Sequence, residues 1–281
     1  GCADTRRSGV SGAEAKQPPW RIAFLSFAIL SLELALIRQI PAEVRAISYF
    51  TNLVLIAAFF GLGLGCILQK SRRLFPLLPL GIFLVFLFIL VCRGIVIYDA
   101  SAAVHFWLEH DLVPGRARNL PLLYAALAAF LSSALPFVAL GQSLARAMDE
   151  HPRLVAYGWD IAGSLRGTIL FAVSSMMGLP PWAWVASIAT LCAFVLSTRP
   201  WERWSLVASG LAFLLFAQAP LVGIWSPYYY VQFDQTDLGL RVFVNSSFHQ
   251  IGLRFDGASE GNRDTEAAML AKWGQPYEIY R

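Results

Sequence analysis

The chain has 281 residues, of which 57% are hydrophobic and 14% charged, whereas a soluble domain averages about 25% charged. With a mean hydropathy of +0.57, composition places it among membrane proteins and excludes the ordinary soluble class. The formal charge is +4, but Lys and Arg sit at the ends of apolar runs, as in 69–73 (QKSRR) and 199–203 (RPWER), not in one patch. That distribution marks membrane-protein loops and argues against a nucleic-acid partner.

Residues 1–19 are polar and are expected to form a disordered tail. A membrane-crossing helix needs about 20 apolar residues, and seven stretches approach this: 20–40, 49–68, 75–97, 120–142, 157–178, 181–198 and 204–224. Each is apolar around its whole circumference, which argues for lipid outside. Trp20, Trp182, Trp184, Trp201 and Trp204 lie near the predicted ends, where aromatic side chains favour the membrane interface. The long connection, 98–119, brings His105, Glu109, His110 and Asp111 close in sequence. It reads as a solvated interfacial segment with a short amphipathic helix, not as a metal site. Cys66, Cys92 and Cys192 fall inside apolar runs, and no CxxC pair exists, so they read as small buried residues.

The pattern changes at Trp225. YYYVQFD and LRVFVN are rich in β-branched and aromatic residues and flank the turn-like QTDLG, so a β-hairpin is predicted. Residues 265–273 read as a short helix, with Asp264 as N-cap and Gly274 as stop. The expected fold is mainly α. A polytopic bundle of about seven spans over 20–224 precedes a small β-hairpin unit over 225–281. With the N-terminus inside, inner segments hold eleven Lys and Arg against four outside. This favours that orientation and puts the hairpin outside.

Ionisable groups at membrane depth are costly and point to function or to pairing. Glu33, Arg38, Arg93, Asp160 and Arg166 are such groups. Glu33 and Arg38 are about 140° apart around one helix, and Asp160 and Arg166 about 120° apart, so neither pair closes within its helix. Their partners are expected on other helices, with Glu33–Arg166 preferred and Arg93 the alternative. Gly61/Gly65 and Gly163/Gly167 form GxxxG pairs that predict close helix contact. GLGLG lies mid-span with no preceding strand, so it is not a dinucleotide loop. Asn245-Ser-Ser matches a glycosylation sequon by pattern only and lies in a strand-like stretch.

SLELALIRQ followed by FFGLGLGCILQKSRR resembles the opening of bacterial membrane-bound spermidine synthase-like proteins. YGWDIAGSLRG is similar to their later Tyr-x-x-Asp-x-x-Gly-Ser-x-x-Gly segment. WSPYYYV, VNSSFHQ and WGQPYEI resemble the junction into their aminopropyltransferase part. The resemblance covers most of 20–281. It implies a multi-pass protein of the bacterial inner membrane whose Rossmann-like domain, expected after residue 281, uses decarboxylated S-adenosylmethionine as co-substrate in polyamine biosynthesis. It also implies substrate contacts by Tyr228, His249 and Gln250. Phe248-His249-Gln250 stands where the family has Tyr-His-Glu, and Tyr229 stands where it has Gln. No residue of 1–281 is assigned a catalytic role. The expected partners are the lipid bilayer, a polyamine or other small cation, and a second copy of the chain. The alternative reading is a membrane transporter or binding module for a polar or cationic small molecule.

Overall fold

The structure is a computed structural model. It describes residues 18–44, 47, 50, 52–92, 122–218, 223–236, 239–245 and 247–253. Arg93, the connection 98–119 and the helix expected over 265–273 lie outside the described residues, as do positions 1–17.

Seven α-helices are found among the described residues. They are α1 (Trp20–Glu43), α2 (Asn52–Ile67), α3 (Leu77–Cys92), α4 (Leu122–Asp149), α5 (Arg153–Met176), α6 (Pro181–Val195) and α7 (Pro200–Ala212). An antiparallel sheet follows in the order β1 (Gly223–Trp225), β2 (Tyr230–Thr236), β3 (Gly239–Val244), β4 (Ser247–Leu253). The predicted hairpin is β2–β3, and one strand is added on each side of it.

Seven helices are not seven membrane spans. Trp20–Glu43, Asn52–Lys70 and Leu123–Asp149 are long and apolar enough to cross, while Leu77–Cys92 and Pro181–Val195 are apolar but shorter. A 15-residue helix is about 22 Å long, against about 30 Å of hydrocarbon. Prolines set some of these limits. Pro181 and Pro200 occupy first helical positions, where the missing N–H costs nothing. α5 is long, but Arg153, Asp160 and Arg166 interrupt its apolar character.

Successive helices alternate in direction. α1 and α5 run the same way: Gly163 lies against Ala23 and Gly167 against Phe27 and Ser31. α2 and α4 also run together, with Gly61 on Ala134 and Phe137, and Gly65 on Val138 and Gln142. Both GxxxG pairs thus make the close contacts expected of them. α3 runs against α4, where Gly81 meets the Pro136 ring. α7 runs with α3: Ser209 Oγ donates to the Pro79 carbonyl at 3.1 Å and Phe86 meets Phe213. One end of the bundle therefore carries the start of α1 and the α2–α3, α4–α5 and α6–α7 turns. Arg21, Lys70, Arg72, Arg73, Arg146, Arg153, Arg199 and Arg203 lie there. The sheet sits at the other end.

α1 is the central helix and packs on α5, α6, α4 and α2. Most of it is buried, including Leu25, Ile29, Leu32, Leu36 and Ile40. The outward surface is apolar too, with Ile56, Phe59, Phe60, Phe83, Leu87, Leu165, Ile169 and Val173 all exposed. Such a continuous apolar exterior matches lipid and not water.

Candidate functional site

The polar side chains held within the bundle fall into three places: the basic end, the middle of α1, and the joint with the sheet. At the basic end, Gln142 of α4 ties down the α2–α3 turn. Its Nε2 donates to the carbonyls of Leu68 (2.8 Å) and Arg72 (3.0 Å), and its Oε1 accepts from Leu74 N–H at 2.7 Å. Arg146 donates to the carbonyls of Gln69 and Ser71. Arg73 crosses to the α6–α7 turn, pairing with buried Glu202 at 3.3 Å and donating to Thr198 Oγ1. Burial lowers the Arg73 guanidinium from its usual value, and the Glu202 carboxylate opposes that shift. Glu202 also accepts from the Thr198 and Arg199 backbone N–H groups at 3.3 and 3.4 Å. A Glu three residues into a helix reaches back in this way to groups the helix leaves unsatisfied. The whole arrangement closes helix ends.

Within α1, Glu33 is only 5% exposed. No hydrogen bond or ion pair to it is found among the described residues. Ser31 Oγ, Gln39 Oε1 and, on α4, Ser133 Oγ are buried without a hydrogen-bond partner. Gln39 Nε2 approaches Glu43 Oε1 at 3.4 Å.

Asp160 of α5 accepts from Ser26 Oγ of α1 at 2.5 Å, so its partner does come from another helix. The expected Glu33–Arg166 pair is not made. α5 turns Gly163 and Gly167 toward α1. Arg166 lies one residue, about 100°, off that stripe and is exposed on the outer side.

At the sheet end, Arg38 joins three elements. Its Nη1 donates to Ser175 Oγ of α5 and its Nη2 to the Ser226 carbonyl. Ser175 Oγ in turn donates to the Pro227 carbonyl at 3.0 Å. The guanidinium lies 5.5 Å from the Trp225 ring centroid, within cation–π reach, and Trp225 stacks on Tyr230 at 4.4 Å. The Ser226–Tyr229 turn has a local cause. Ser226 Oγ accepts from Tyr229 N–H at 2.8 Å and donates to the Tyr229 carbonyl at 2.9 Å, as serine turns do.

The three residues expected at a substrate site all lie on the sheet unit, Tyr228 in a turn and His249 and Gln250 on one strand. Tyr228 is in the β1–β2 turn and 79% exposed. His249 and Gln250 lie on β4, beyond β3, about 10 Å from β2 at the usual strand spacing. The β3–β4 register pairs Val242 with Gln250 but Phe243 with Phe248, which leaves His249 as the extra residue of a bulge. Consistent with this, the adjacent His249 and Gln250 are both exposed. Asn245, read above as part of a strand, instead makes the β3–β4 turn at φ 50.

Among the described residues, no group of three or more His, Cys, Asp or Glu side chains is placed to hold a metal ion. A shallow open groove of about 600 Å3 at the α4–α5 turn is lined by Met148, Asp149, Arg153, Leu154, Ala156 and Tyr157, and none of the expected site residues reaches it. Cys92 and Cys192 are buried as expected, but Cys66 is exposed.

No protein-family model matches the sequence, and neither a curated protein nor a solved structure does.

Sequence reasoning missed the Arg38 joint and the Gln142 knot. The signal for Gln142 was a lone amide at the end of an apolar run. Arg38 was singled out, but its partners lie 137 and 188 residues away.

Proposed function

We propose that this chain is the membrane-embedded part of a spermidine synthase-like aminopropyltransferase. In this reading its bundle holds a β-unit at one membrane face, and the catalytic Rossmann-like domain follows residue 281. The observation that carries the reading is the Arg38 joint. Arg38 belongs to SLELALIRQ and Trp225 and Ser226 belong to WSPYYYV, two of the segments on which the resemblance rests, and these residues touch. A third such segment, YGWDIAGSLRG, packs on the same helix, with Gly167 against Ser31 of the first segment and Asp160 and Gly163 against Ser26 and Ala23 just before it. A bundle that grips the first turn of the β-unit suits a protein whose soluble part must keep a fixed pose. The test is the reading frame beyond codon 281, followed by an aminopropyl-transfer assay on the full-length product. A glycine-rich strand-loop-helix and transfer of the aminopropyl group to a diamine are expected. A frame without that segment refutes the reading.

A second reading, a transporter or binding module for a polar or cationic molecule, is favoured by Glu33, a buried carboxyl with no described partner. Orientation separates the two. The basic end is expected in the cytoplasm, which puts the sheet outside, away from cytoplasmic S-adenosylmethionine derivatives. A reporter fused after residue 281 that is active only in the cytoplasm supports the transferase. One active only outside supports the transporter, in which case Glu33→Gln abolishes uptake with expression intact.

A further inference from the structure

The sheet end of the molecule carries an exposed apolar patch. Ile224, Tyr228 and Tyr229 come from β1 and the turn after it, Met176 from the last position of α5, and Met177 and Leu179 from the α5–α6 turn. Met176 and Met177 are 75% and 74% exposed, and Tyr229 is 54% exposed. The two segments adjoin: Gly178, at φ +75, lies against the Trp225 carbonyl, and Ser175 Oγ bonds the Pro227 carbonyl at 3.0 Å. No Asp, Glu, Lys or Arg occurs in 174–185 or 223–233. The nearby Arg38 guanidinium is already engaged by Ser175, the Ser226 carbonyl and the Trp225 ring. The patch continues the outward apolar face of α5, where Ile169 and Val173 are also exposed. It ends in two tyrosines, whose rings are apolar and whose hydroxyls need water or headgroup partners. Aromatic residues of this kind collect at the headgroup level of a bilayer. A polar protein partner would call for charges that the patch lacks.

We propose that this patch is seated in the headgroup layer of a lipid bilayer. The sheet then lies on the membrane surface, with the Tyr228–Tyr229 turn in the interface and β4 facing water. The proposal rests on the membrane-embedded reading of the bundle.

It is tested on the full chain in lipid nanodiscs, with Cys2, Cys66, Cys92 and Cys192 replaced and one nitroxide placed in turn at Phe59→Cys, Tyr228→Cys and His249→Cys. Phe59 is an exposed residue in the middle of α2, and His249 is exposed on β4. Power saturation with oxygen and with a water-soluble nickel chelate reads the depth of each label. The expected result is oxygen-dominated access at 59, chelate-dominated access at 249, and chelate access at 228 lower than at 249 by roughly threefold or more, because the interface excludes the chelate. A smaller difference between 228 and 249, with 59 still shielded, overturns the proposal and leaves the membrane reading standing. Chelate access at 59 overturns both. If Tyr228→Cys does not fold, Tyr229→Cys is read in the same way.

Discussion

A carboxyl group removed from water must find donors, because burying a polar group unpaired costs roughly 1–3 kcal/mol in proteins. Glu33 lies at the middle of the central helix, 5% exposed and without a described partner, so packing alone gives no reason to keep it. Glu33→Gln preserves shape and removes the acid. The expected melting temperature in detergent is unchanged or higher by about 2–4 °C, equivalent to about 1 kcal/mol. A drop larger than this would show a stabilising role for the carboxyl group. Arg38 behaves differently. Its planar fork reaches two acceptors at once, and Lys presents only a point charge. Arg38→Lys is therefore expected to loosen the sheet and not the bundle: proteolysis within 223–253 quickens while the melting of the helices holds. Equal loss in both would contradict a joint confined to the sheet. The charged positions themselves were legible from sequence, since charge inside an apolar run stands out. Their partners were not. The 3.6-residue period gives angles around one helix, but which neighbour occupies which flank is decided by Gly163 and Gly167, and these carry Arg166 away from Glu33.

Helix existence was readable from apolar runs, and the contacts of the glycine pairs from their spacing. Helix ends were less so, because caps decide them. Pro152 and Arg153 start α5 four residues before the apolar run expected from 157, and α7 gives way to a 3-10 turn at Phe213–Gln218 instead of continuing as one span. β1 and β4 escaped notice because three residues of strand, or a strand with an extra His249, break the alternation that reveals a strand. The glycines of α2 yield a paired prediction. A Cβ at Gly65 would fall 2.5 Å from the Val138 carbonyl, whereas nothing lies within 4 Å at Gly63. Gly65→Ala is expected to destabilise by about 1–3 kcal/mol through overpacking. Gly63→Ala should stabilise by about 0.5–1 kcal/mol by removing backbone freedom. Thermal melting of the two variants checks the α2–α4 contact, and equal shifts would refute it.

For the molecule as a whole, alternating helices place the described α2–α3, α4–α5 and α6–α7 turns, each carrying Lys or Arg, at one end and the sheet at the other. A cysteine at Ser71 and one at His249, each in a cysteine-free background, should therefore react with an impermeant thiol reagent from opposite faces of a sealed vesicle. Labelling from the same face would break the alternation. The sequence anticipated this polarity because charge counting needs no tertiary knowledge. It overstated the number of spans because apolar length was credited past Val195 and Ala212, where α6 and α7 end, and because α5 carries Arg153, Asp160 and Arg166 within its length.

The contact between Ser26 and Asp160 spans 134 residues of chain. A ribosome adding about 5–20 residues per second needs on the order of ten seconds to cover that distance. For that interval the central helix is made but its main neighbour is not, and its Ser26 and Ser31 lack the α5 side chains and backbone that cover them in the finished bundle. Nascent chains stopped before residue 153 should therefore stay bound to the insertion machinery, and chains extended past residue 176 should leave it. Assembly of this bundle is set by waiting for α5, so substitutions on α5 that weaken its grip on α1 should show first as loss of newly made protein.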